Sequence, residues 1–176
     1  MSSSPFDRVP HQELWAVDFE FIAHQGEQQD PVCMVAKELR SGRVIRLWRN
    51  DLQRMDAPPY PTGESTLFIA YYASPEIGCH LALGWPIPVQ IFDCFTEFRN
   101  LTNGRRHPLG DSLLAALASY GINSIAADKK SYMRDLIMSG GPWNNREKLD
   151  ILNYCQSDVE ALNLLFPRLI QDVLNG

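Results

Sequence analysis

The sequence predicts an α/β fold in which helices flank a mixed five-stranded sheet. Three observations predict it. Three strand-like runs follow one another in the first fifty residues, then come a strand, a helix and a further strand, and the remainder reads as helix. Successive strands before the first helix suit a meander, whereas strands on either side of a helix run parallel through a right-handed crossover. A chain that does both builds a mixed sheet.

The first strand is "LWAVDFEF", residues 14–21, where Trp15, Val17, Phe19 and Phe21 alternate with Asp18 and Glu20. Period two puts the apolar set on one face and both carboxylates on the other. "PVCMVAKEL" (31–39) and "VIRLW" (44–48) are the next two strands, a hairpin whose Ser41-Gly42 suits a tight turn. "DLQRMDAPPYPTGES" (51–65) reads as loop, because Pro58, Pro59 and Pro61 fit neither a helix interior nor a central strand. "TLFIAYY" (66–72) is a short buried strand.

"SPEIGCHLALGW" (74–85) reads as a helix with Ser74 as N-cap, Pro75 as first residue, Gly84 as stop and Pro86 just beyond. "VQIF" (89–92) is the fifth strand, ending at Asp93. "DSLLAALASYG" (111–121) is a helix capped by Asp111 and stopped by Gly121, and a short helix follows around Lys130 to Met138. After the break "GGPWNN", a long helix runs from near Asn145 to about Val173, with Ile151, Cys155, Val159, Leu162, Phe166 and Leu169 as its apolar stripe. A ribonuclease-H-like sheet fits this order, and periodicity alone also admits other mixed-sheet folds.

At 176 residues, with 45 % hydrophobic and 21 % charged, the chain reads as one ordinary globular domain over 1–176. The start "MSSSPFDRVPHQE" has neither a basic stretch followed by an apolar one nor a spanning run, so a cytoplasmic protein without membrane contact is expected. Cys33, Cys79, Cys94 and Cys155 form no C-x-x-C pair and suit reduced, buried thiols. The histidines His11, His24, His80 and His107 have no zinc-ligand spacing. A net charge of −5 disfavours a phosphate-binding surface only if the acids are spread out. Gathered at one site, they would be largely offset by two divalent ions.

Asp18 and Glu20 point the same way and could share a cation, although a D-x-E taken alone is more often a solvated strand face. In "YCQSD", Tyr154 and Asp158 are four apart on the long helix, one turn above each other and beside the apolar stripe. Glu76, in the first turn of the helix after the fourth strand, would come near Asp18 and Glu20 if that strand lies beside the first. The helix dipole favours a glutamate there without any metal. Asp93 competes for the same place, and spacing does not separate the two.

These pieces resemble the DEDD family of 3′→5′ exonucleases, in the subgroup with Tyr four residues before the last Asp. "VDFEF" stands as the first motif and "YCQSD" as the third. More narrowly, "YYASPEIGCHLALGWPIPVQIFDCFTEFRN", "LLAALASYGI", "DKK" and "YCQSDVEALNLL" resemble the exonuclease domain of bacteriophage-type family A DNA polymerases. The resemblance puts Glu76 at the second motif, where relatives usually carry Asp, and leaves Asp93 as a structural residue or one supporting the ligands. It implies a single 3′→5′ exonuclease domain that hydrolyses DNA at its 3′ end with two Mg²⁺ or Mn²⁺ ions.

The implied ligands are Asp18, bridging both ions, Glu20 and Asp158 on the first, and Glu76 on the second, mostly through water. Tyr154 would orient the attacking water and accept a hydrogen bond from it, its ordinary pKa near ~10 making it a poor base. Phe21 and His24 would meet the terminal nucleotide, and Lys129, Lys130 and Arg134 its phosphates, with Arg105-Arg106 a weaker case. The expected partners are a single-stranded DNA 3′ end and a polymerase domain or replication protein. An exoribonuclease of the ribonuclease D or oligoribonuclease kind shares the motifs, and an inactive nucleic-acid-binding module is the reading that Glu76 suggests.

Overall fold

The computed structural model describes residues 4–23, 26, 28–102, 110–123 and 128–176. Five strands are present: β1 (Glu13–Ile22), β2 (Asp30–Glu38), β3 (Val44–Trp48), β4 (Thr66–Ala70) and β5 (Ile91–Asp93). The helices are α1 (Arg49–Leu52), α2 (Ser74–Leu83), α3 (Cys94–Thr102), α4 (Leu113–Ser119), α5 (Asp128–Met138) and α6 (Asn145–Asn175). The sheet order is β3-β2-β1-β4-β5, with β1 antiparallel to β2 and parallel to β4. This is the mixed sheet the element order predicts.

Both faces of the sheet are covered, which changes how β1 is read. Trp15, Val17 and Phe19 join one core with Leu52, Phe68, Cys79 and Trp85, beneath α1 and α2. Leu14 and Ala16, on the supposedly wet face, belong to a second core with Ile69, Ile151, Cys155, Val159 and Leu162, beneath α6. Asp18 and Glu20 therefore lie where a buried face runs out. A central strand covered on both sides is apolar at both parities until it reaches the sheet's end.

Several boundaries differ from expectation, each for a local reason. The first two residues of the expected 51–65 loop belong to α1, whose Leu52 is buried against the first core. The residue flanking α2 is Ala73 rather than Ser74, and no side chain of that segment caps it. Asp93 does so instead, its carboxylate accepting from the N–H groups of Tyr72 and Ala73 at 3.0 and 3.1 Å. The cap of α4 is Ser112 rather than Asp111, its hydroxyl accepting from the Ala115 N–H at 3.2 Å. Cys94–Thr102 forms a separate helix directly after β5, with Cys94 and Phe98 buried.

α6 is capped as its sequence suggests. Asn144 accepts from the Glu147 N–H and Glu147 from the Asn144 N–H, a reciprocal box. The helix continues through Pro167, losing one main-chain bond there, because Leu165, Phe166, Leu169 and Ile170 on either side of it are buried. It lies across β1 and β2. Lys37 on β2 pairs with Glu160 at 2.6 Å, and Arg46 on β3 donates to Asn153 at 2.9 Å. These contacts flank the buried stripe through Ile151, Cys155, Val159 and Leu162, which meets the sheet. No helix among the described residues is long and apolar enough to cross a membrane.

Candidate active site

Three elements converge at the C-terminal half of β1. The strand itself brings Asp18 and Glu20. Pairing of β1 with β4 stops at Ala16 and Ile69, so from Val17 onward the β4-side edge of β1 has no strand beside it. Into that space the chain places Glu76, in the first turn of α2, 5 % exposed. Hydrogen bonds from its own main chain and from that of Phe19 hold its carboxylate, while Oε2 is buried with no hydrogen-bond partner. Phe19 lies between Asp18 and Glu20, so Glu76 sits against the stretch of strand that carries both.

α6 supplies Tyr154 and Asp158 on either side of Cys155. The Cys155 Sγ donates to the Asp18 carbonyl at 3.2 Å, which fixes the height of the helix along β1. Tyr154 is half-buried against the α6-side core. Burial and then the charges of Asp158, Glu20 and Asp18 push its phenol far above the ordinary value of 10.0. It remains a neutral O–H at any physiological pH, surrounded by carboxylates.

Electrostatics describe the same gathering. Burial raises Glu20 well above its ordinary range, and the charges of Asp18, Cys33, Asp158 and Glu76 raise it further. Glu76 is raised by burial, then by Asp18 and, more weakly, Asp93. Among the described residues, no basic side chain figures in either balance. Ligand atoms of Asp18, Glu20 and Cys155 lie within 4.8 Å of one another. Two carboxylates that close repel by about 3 kcal/mol at an effective dielectric of ~20, more than an exposed ion pair returns.

A hard divalent cation fits this donor set. The carboxylates offer oxygen atoms, Oε2 of Glu76 is buried and unsatisfied, and the mutual repulsion calls for positive charge. Cys155 does not belong to the set, despite its distance. Burial and its neighbour Cys33 push the thiol well up, so it stays S–H and donates to the main chain. Asp93 is also committed elsewhere: besides Tyr72 and Ala73, its Oδ1 accepts from the Phe95 N–H at 3.0 Å, tying together the starts of α2 and α3.

Asp18 and Asp158 open onto a cleft of ≈ 750 Å³ whose other walls are Tyr71, Tyr72, Phe95, Arg99 and the Asp111–Leu113 segment. Sequence reasoning assigned none of those wall residues to the site. Phe95 and Arg99 are four apart on α3, so their shared face becomes visible once that helix is drawn. Tyr72 gives no such signal. Its φ of 66° makes it a non-glycine residue in the left-handed region, which costs ~1 kcal/mol or more.

Of the expected substrate residues, Phe21 and Arg134 have described side chains. Phe21, half-buried, packs against the core of Trp15, Val17 and Phe19, so its contacts are those of a core residue on the far side from the carboxylates. Arg134 is exposed on α5 and is not among the cleft's walls. Lys129 and Lys130 lie on α5, with side chains outside the described residues, as are His24, Arg105 and Arg106.

No family model matches the sequence, and no curated protein sequence matches it. Among solved structures, the chain is similar to the EXO domain of Nibbler from Aedes aegypti, with a TM-score of 0.51 and 12 % sequence identity. The match covers 91 % of this chain and 80 % of that one. The likeness is one of fold. This chain's mixed five-stranded sheet flanked by helices is of the ribonuclease-H-like kind.

Proposed function

We propose that residues 1–176 form a metal-dependent 3′→5′ exonuclease that removes nucleotides from single-stranded DNA 3′ ends, in the manner of a proofreading domain. The observation that supports this reading is the convergence of Asp18, Glu20, Glu76 and Asp158, with the Tyr154 phenol among them, beside an open cleft. The fold shared with the Nibbler EXO domain supports the same reaction class.

Asp18, Glu20, Glu76 and Asp158 would hold two Mg²⁺ or Mn²⁺ ions. Bound there, such ions supply a nucleophilic hydroxide at neutral pH and neutralise charge on the phosphoryl and leaving oxygens. The side chains do the rest. Tyr154, kept as O–H by burial and by its acidic neighbours, orients the attacking water but does not take its proton. Glu76, fixed by the Phe19 main chain, presents its remaining oxygen despite being one methylene longer than the usual aspartate. Lys129, Lys130 and Arg134 on α5 would meet phosphates farther along the strand, and a polymerase domain or replication protein would be the natural partner.

The test is digestion of matched DNA and RNA oligonucleotides, labelled at the 5′ end, with Mg²⁺ or Mn²⁺. A ladder shortening from the 3′ end is expected, faster on DNA, and absent with Asp18→Ala. Faster shortening of RNA would replace DNA by RNA as substrate. Intact strands of both kinds would leave a nucleic-acid-binding module, and a ladder undiminished in Asp18→Ala would overturn the site.

A further inference from the structure

The cleft at Asp18 and Asp158 has an aromatic wall. Tyr72 is 53 % exposed on it, in the left-handed backbone region at φ 66°. A glycine would hold that turn without strain, whereas this chain carries a large ring there. Backbone and ring are each held by one contact. Asp93 accepts from the Tyr72 N–H at 3.0 Å, and Phe95 meets the ring edge to face at 5.3 Å and 73°. Phe95 in turn contacts Tyr71 at 5.9 Å and lies 5.5 Å beneath the Arg99 guanidinium.

We propose that Tyr72, braced by Phe95, is a stacking platform for one base of a single-stranded nucleic acid whose backbone enters the cleft at Asp18 and Asp158. The substrate class rests on the exonuclease reading of the same cleft. A flat ring accepts any base, as an enzyme that removes every nucleotide in turn requires. Backbone strain at an exposed ring that lines the same cleft as Asp18 and Asp158 motivates a role in contact rather than in stability. Arg99 lines the same cleft, paired with Asp111 at 3.6 Å.

The experiment measures binding of 5′-fluorescein single strands by anisotropy in Ca²⁺ buffer. It compares wild type with Tyr72→Phe, Tyr72→Ala and Tyr72→Gly, on strands with one abasic nucleotide at the first, second or third position from the 3′ end. Tyr72→Ala should weaken binding on the order of 10- to 100-fold and Tyr72→Phe should keep it. An abasic gap at one of the three positions should weaken wild type by a similar factor and weaken Tyr72→Ala no further. Tyr72→Gly, relieved of strain, should melt no lower than wild type while losing the same affinity.

Unchanged binding in Tyr72→Ala or Tyr72→Gly overturns the proposal, as does an abasic penalty that persists in full without the ring. Wild type that binds through Tyr72 but yields no ladder with Mn²⁺ removes the exonuclease reading and keeps the platform. A wild-type ladder beside an indifferent Tyr72→Ala does the reverse.

Discussion

The Cys155 thiol hydrogen-bonds the main-chain carbonyl of Asp18 at 3.2 Å, so the helix bearing Tyr154 and Asp158 is tied to β1 at the residue that opens the acidic site. Side-chain chemistry on α6 is thereby registered against backbone on the sheet. Cys155→Ala should lower stability by about 1–2 kcal/mol, through a small cavity and a lost bond. Turnover should fall while Mn²⁺ is still bound. Chemical denaturation and calorimetric Mn²⁺ titration of the same variant check both outcomes.

Removing the Tyr154 hydroxyl separates water orientation from metal binding. Tyr154→Phe should lower kcat on the order of 10²-fold and leave KM and Mn²⁺ stoichiometry near wild type. The hydroxyl, held neutral by burial and by Asp158, makes no stronger contribution than a hydrogen bond. A variant that loses metal along with turnover would place the phenol among the ligands.

Glu76 and Asp93 should part company under substitution. Glu76 is raised by burial and by Asp18, so the folded protein holds a proton that the unfolded chain releases near 4.5. Its contribution to the stability of metal-free protein is whole below about that pH and is lost as pH rises towards the raised folded value. In EDTA, wild-type Tm should therefore fall as pH rises above ~4.5, and Glu76→Gln should flatten that slope and melt higher at neutral pH. Asp93→Ala should instead lose about 2 kcal/mol of helix capping and keep its Mn²⁺ stoichiometry, whereas Glu76→Gln should lose a metal. Thermal melts and calorimetry on both proteins decide this.

His80 should produce the opposite pH trend. It is 0 % exposed, with Nε2 2.8 Å from the Tyr60 hydroxyl and Nδ1 2.8 Å from the Pro86 carbonyl. Nδ1–H therefore donates to Pro86 and Nε2 accepts from Tyr60, the neutral tautomer. Burial pulls its pKa below 6.5, the Pro86 carbonyl pulling the other way. The unfolded chain then takes up a proton first, so stability is whole above about 6.5 and declines as pH falls towards the folded value. Melts of the Mn²⁺-loaded protein should show this decline, and His80→Gln should reduce it.

The sequence by itself determined the strands, the long helix with its stripe through Cys155 and Val159, and the two short motifs that carry four of the five candidate site residues. Those are local matters: period two, period 3.6 and turn chemistry act between neighbours in the chain. For the fifth, spacing left Glu76 and Asp93 open, and the family resemblance favoured Glu76. Only the tertiary structure shows why they differ, because what distinguishes them is which N–H groups each meets: Phe19 for Glu76, and Tyr72, Ala73 and Phe95 for Asp93. The buried even face of β1 and the Tyr72 wall were hidden for the same reason. Burial and backbone strain are set by segments far apart in sequence, and no pattern within one strand reports what packs against it.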